Sequence, residues 1–180
     1  MSLSLTRALA GSLVCAAIIF ALQFMSREVT GMGPLLISSP VFKHNQIIPS
    51  KYTCDGADVN PPLLIGDTPP EAKSLVLIVD DPDAPAGTWV HWVLWNIAPK
   101  TTEIREGSVP SSAQQGMSDF RKHGYGGPCP PSGTHRYFFK LYALDTTLNL
   151  GPETTKAALE RAIKGHIVAQ GELIGLYRRK

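Results

Sequence analysis

Leu75-Val76-Leu77-Ile78-Val79-Asp80-Asp81-Pro82 carries the first decision about the fold. The run Leu75–Val79 is apolar throughout, short and rich in β-branched residues, so it reads as a strand buried on both faces. Pro82, which has no N–H for a ladder, ends it. Trp89–Ile97 reads as a second strand. Its two-residue period puts Trp89, His91, Val93 and Trp95 on one face and Val90, Trp92 and Leu94 on the other. His135–Leu144 reads as a third, with His135, Tyr137, Phe139 and Leu141 on one side. Shorter strands are expected near Leu35–Ser38, Ile65 and Val168–Leu176. One helix is expected from Pro152 to Lys164, with Pro152 at its first position, Glu153 at the positive end of its dipole and Gly165 as its stop. The 15 prolines and 16 glycines are spread between short apolar runs, the texture of a mainly β domain with long loops. The connection from Gln115 to Gly133 is long and rich in Gly and Pro, and a loop of that kind in a compact domain is usually functional.

The chain's 180 residues make room for one domain with a sizeable core. Charged residues are 18% of it and the net charge is +2, with no basic cluster before Arg178-Arg179-Lys180. A nucleic-acid partner is therefore not expected. Ala8 to Phe24 is almost wholly apolar, with Arg7 before it and Arg27-Glu28 behind. It has no polar face at helical spacing, which argues against a buried N-terminal helix. Residues 1–25 read as a signal peptide or an uncleaved membrane anchor, 26–34 as a linker and 35–180 as the domain. Any membrane contact is expected through that first segment alone. Cys15 falls inside it, which leaves Cys54 and Cys129 to the domain. Neither sits in a Cys-x-x-Cys, so a zinc site is not expected, and a disulfide in an oxidising compartment is the economical reading.

Three constellations carry chemistry. Asp80-Asp81-Pro82-Asp83-Ala84-Pro85 places carboxylates where a buried strand emerges; its plain alternative is a solvated turn. His91 lies in an apolar strand, where a satisfied core histidine is the plain alternative. Gly133-Thr134-His135-Arg136-Tyr137 starts a strand, so His135 and Tyr137 project to one face. Histidines, a phenol and loop N–H groups are the donors that a small anion needs. Asp81, which would repel an anion, then has to hold a histidine in its donor state or accept from a ligand's cationic end. The rival reading is a metal-dependent or acid–base hydrolase using Asp81, Asp83, His91 and His135. No Gly-x-Ser-x-Gly, His-Glu-x-x-His or Gly-Lys-Ser/Thr accompanies them.

Asp81-Pro82-Asp83-Ala84-Pro85, then Trp89-x-His91, then Gly127-Pro128-Cys129-Pro130-Pro131-Ser132-Gly133-Thr134-His135-Arg136-Tyr137 resemble the two signature regions of the phosphatidylethanolamine-binding protein family. Tyr52-Thr53-Cys54-Asp55-Gly56, Asn60-Pro61-Pro62-Leu63 and Gly165-His166-Ile167 are similar to its bacterial and archaeal branch, the Raf-kinase-inhibitor-like proteins. The resemblance runs from about Leu36 to Arg178. It implies an antiparallel β-sandwich with Greek-key connections and one or two peripheral helices. It implies a non-enzymatic binding protein with no cofactor and no metal. Its cavity for a phosphate-like or phosphoethanolamine-like group is lined by Asp81, Asp83, Ala84, Pro85, Trp89, His91, Gly127, Pro131, His135 and Tyr137. It further implies a cis Ala84–Pro85 bond at the pocket mouth. Family members are linked to lipid-headgroup binding and to inhibition of kinases and proteases, which makes a phospholipid headgroup or a partner protein the expected company.

Overall fold

The structure is a computed structural model that describes residues 33–179. The expected signal peptide or anchor, and residues 26–32 of the expected linker, lie outside those residues, while its last two, Gly33–Pro34, form a strand rather than a linker. The chain order is β1 Gly33–Pro34, β2 Leu36–Ser38, β3 Gln46–Ile47, β4 Leu63–Gly66, β5 Ser74–Asp81, β6 Trp89–Ile97, β7 Glu103–Ile104, β8 Gln114–Gln115, β9 His135–Leu144, helix α1 Lys156–Ile163 and β10 Ile167–Tyr177. The large sheet runs β1-β10-β9-β5-β6-β8, with β3 also paired to β10, and a smaller sheet runs β2-β4-β7. The long strands pair antiparallel, while the two-residue β1 and β3 lie parallel to β10. β9 returns to lie beside β5 rather than beside β6, a long-range return of the Greek-key kind.

Every residue of β5 is buried, because both of its faces are covered. Leu75, Leu77 and Val79 join Trp92, Leu94, Phe139 and Leu141 against Ile37, Leu63 and Ile104 of the small sheet. Val76 and Ile78 pack with Val93, Trp95 and the helix residues Leu159 and Ile163 on the other side. That second cover explains the continuous apolar run, since a strand with one wet face would alternate.

Three expectations need correction. The helix begins at Lys156, not Pro152. Gly151–Thr154 closes as a turn, with Thr154 N–H and Oγ1 both bonded to the Gly151 carbonyl, and Thr155 is the cap, its Oγ1 accepting from Ala158 N–H. Gly165, at φ +84°, ends the helix as expected. The faces of β6 do not follow a simple alternation. From the pair Val79↔Trp92 to the pair Asp80↔Val90, β6 advances two residues while β5 advances one. This bulge moves Val90 to the face of Val93 and Trp95 and releases His91 from it. Finally, the Ala84–Pro85 bond is trans, as are all peptide bonds among the described residues. The reversal is made by Gly87, at φ +102°, whose N–H bonds the Ala84 carbonyl at 3.0 Å.

Candidate functional site

Antiparallel pairing places the end of β5, the start of β6 and the start of β9 side by side. Asp81, Trp89 and His135 therefore meet although they are far apart in sequence. Three carboxylates leave this corner in three directions. Asp80, fully buried, turns to the helix side, where Lys140 Nζ and Lys156 Nζ lie 2.9 and 2.5 Å from it. Asp81 turns inward and accepts from His135 Nδ1 at 2.7 Å through one oxygen and from the Asp83 N–H at 2.8 Å through the other. Asp83 takes both arms of Arg136, at 2.9 and 2.7 Å, and also its backbone N–H. The Arg136 guanidinium lowers the Asp83 carboxyl to about 2. Asp83 thus clamps the turn to β9.

Asp81, His91 and His135 line a cavity of about 480 Å3. Both imidazoles have a committed Nδ1, that of His91 on the Gly126 carbonyl at 2.6 Å and that of His135 on Asp81. A neutral imidazole carries one N–H, and here the acceptors require it on Nδ1. Each Nε2 is therefore an acceptor in the neutral ring and a donor only in the doubly protonated one. Burial lowers the His91 pKa, against the opposing pull of the Gly126 carbonyl and of Asp81, Asp80 and Asp119. Tyr137 lies behind this floor, its ring edge-on to His91 at 5.2 Å. Its buried hydroxyl has no hydrogen bond within the protein. The Asp81 carboxylate and the Cys129 backbone lie near it at poorer geometry than a bond needs. Burial, then Asp81, push that phenol well above its ordinary pKa.

The walls are apolar. Ala84, Pro85 and Trp89 come from the β5–β6 turn and the start of β6, and Cys129, Pro130 and Pro131 from the loop before β9. Cys129 is bonded to Cys54, so the disulfide is part of the wall. Of the ten residues expected at the pocket, Asp83, Gly127 and Tyr137 do not line it. A side chain at Gly127 would strike the Tyr52 carbonyl and the Thr53 Cα, and its N–H bonds Asp58 Oδ1 at 2.6 Å, so it fastens the loop. Four lining residues lie outside the expected set, Ala86, Phe120, Cys129 and Pro130. Only the place of Phe120 in the long loop before His135 hinted at it. A larger hollow of about 550 Å3 lies beside Ile47–Ser50 and Tyr177–Arg179, but its carboxylate, Asp55, is already paired with Tyr177 and Arg179. Among the described residues no three His, Cys, Asp or Glu side chains are arranged to hold a metal ion.

The comparisons agree with this architecture. A protein of the UPF0098 group from Pyrococcus horikoshii is 54% identical over 152 residues, covering 79% of this chain and 76% of its own. A crystal structure of a phosphatidylethanolamine-binding protein homolog from Chlamydia trachomatis superposes with TM-score 0.79 at 42% identity, covering 82% of this chain and 99% of that one. That of Escherichia coli YbcL, described as a member of the mammalian family of that name, gives TM-score 0.77 at 28% identity, covering 82% and 100%. The family model described as Phosphatidylethanolamine-binding protein matches residues 38–178, and with that match the chain belongs to the phosphatidylethanolamine-binding protein family.

Proposed function

We propose that this protein is a non-enzymatic binding protein whose cavity at Asp81, His91 and His135 takes a small anionic group, phosphate-like or phosphoethanolamine-like. The observation that carries this reading is the contrast within one cavity. The walls are apolar, and the polar atoms are gathered on a floor where two imidazoles and a carboxylate meet. An anion gains most from a few donors held in a dry pocket. Asp81 keeps lone pairs beyond those used by His135 and Asp83, so a ligand's ammonium group has an acceptor beside the anion's donors. The Asp81–His135 pair resembles the orienting half of a catalytic triad, but the lining holds no serine, no threonine and no free thiol to complete one. The same cavity would seat an anionic side chain of a partner protein, such as a kinase or protease, which is the route by which the protein would modulate one. The disulfide, together with the apolar segment before the domain, supports action outside the cytoplasm.

Native mass spectrometry of the purified protein and calorimetric titration with phosphate and phosphoethanolamine test this. Binding of either ligand, weakened in His135→Ala, is expected. Binding of neither between about pH 5.5 and about 8.5 removes the reading.

A further inference from the structure

We propose that Phe120, with Trp89, is the specificity-determining wall of this cavity, and that the anion it receives is carried on an apolar stem rather than free. This rests on the anion-site reading above and adds the part of the ligand that the polar floor does not touch. An inorganic anion satisfies the imidazoles but leaves most of a cavity of about 480 Å3 empty against apolar walls. That volume falls within the range of about 300–1,000 Å3 common for small-molecule sites.

Phe120 is one of the few large apolar side chains of the domain left exposed, at 37%, and it stands at the cavity's mouth. Its ring meets Trp89 edge-on at 5.5 Å and His91 at 5.2 Å, so it bridges the floor and the rim. The position is built. Asp119 is bonded to Val90 twice, through its backbone N–H at 3.0 Å and its carboxylate at 2.7 Å, and Gly126 N–H bonds the His91 carbonyl at 3.0 Å. These contacts fix the loop on both sides of Phe120 to the strand that carries His91. A Cβ at residue 126 would lie 2.4 Å from the Phe120 ring, so the glycine is what lets the ring approach the loop this closely. Lys122 Nζ lies over the ring at 5.6 Å from its centroid, so a ligand's stem meets the part of Phe120 that Lys122 leaves open, beside Trp89.

The test is calorimetry with methyl phosphate and phenyl phosphate, which share the anionic head and differ in the stem. Phenyl phosphate should bind about tenfold more tightly. In Phe120→Ala the two should approach parity, with the phenyl ester losing more than the methyl ester, and Phe120→Leu should keep part of the preference. Equal affinities in the unaltered protein overturn the proposal while the anion site stands, whereas no binding of either ester overturns both. Cosedimentation with phosphatidylcholine vesicles that contain phosphatidic acid, but not with phosphatidylcholine alone, would assign the stem to a membrane lipid. Preference for the phenyl ester without cosedimentation would assign it to a soluble ester.

Discussion

Anion binding in this cavity should draw protons from solution, and the two imidazoles set the number. His91 donates from Nδ1 to the Gly126 carbonyl at 2.6 Å and His135 donates from Nδ1 to Asp81 at 2.7 Å. Neither Nε2 can then donate to an anion until its ring takes up a second proton. Burial opposes charge on His91, so the proton should go to His135, which already faces a carboxylate. One charge-assisted bond is worth about 1.5–3 kcal/mol, or about ten- to a hundredfold in affinity. A histidine that gains an anionic partner has its pKa raised in the complex. Its contribution is therefore present at low pH and lost as pH rises. Calorimetry with phosphoethanolamine near pH 7.5, in two buffers of different ionisation enthalpy, counts the protons directly. The expected result is uptake of about one per ligand, abolished by His135→Ala. Affinity flat in pH, no uptake and indifference to His135→Ala would refute the tautomer argument while leaving the cavity a binding site.

Asp80→Asn leaves Lys140 and Lys156 facing a neutral group on the helix side of the sheet, and should cost about 3 kcal/mol in a urea melt at neutral pH. The Cys54–Cys129 bridge spans 75 residues, for which the chain-entropy relation gives about 4.5 kcal/mol. The double Cys→Ala variant should lose stability on that order, and thiol titration of the unaltered protein purified without reductant should find neither Cys54 nor Cys129 reactive. Tyr137→Phe removes a buried hydroxyl without a partner, so the melting temperature should hold or rise slightly. Anion affinity in the same variant should be unchanged, because Tyr137 lies behind the cavity floor and not in its lining.

The long strands were legible because burial writes itself into hydrophobic pattern. Leu75–Val79, Trp89–Ile97 and His135–Leu144 fall within or coincide with β5, β6 and β9. What pattern cannot carry is a change of phase, and the bulge beside His91 is such a change: the count of two assigned His91 to the face of Val93 and Trp95, while the fold turns it to Tyr137. The helix start misled because Pro152 and Glu153 have the chemistry of a first turn, yet Gly151 and Thr154 close a turn around them before Thr155 caps the helix. The motif residues Asp81, His91 and His135 were legible as types. Their partners were not, because the Arg136 that takes Asp83 and the Gly126 carbonyl that takes His91 are set by tertiary contact. Phe120 gave no periodic signal, since its place depends on a loop fastened to β6.

The double burial of β5 also bears on how the sheet finds its alignment. A strand apolar on one face is held in register by that pattern, because a slip by one residue exchanges inside for outside. Leu75 to Val79 has no such asymmetry: slipped by one place, it would still present aliphatic groups to both layers. The information lies at its end, in the odd–even difference between two identical side chains. Slipped one way, Asp80 would reach His135 while Val79 met the lysines. Slipped the other way, Asp81 would meet the lysines while Pro82 stood at the cavity. In either case one hydrogen-bond donor loses its carboxylate, and only the native alignment satisfies Lys140, Lys156 and His135 together. The adjacent aspartates thus act as a parity check on the central strand, and the residue that faces the cavity also tells the sheet where to stop sliding.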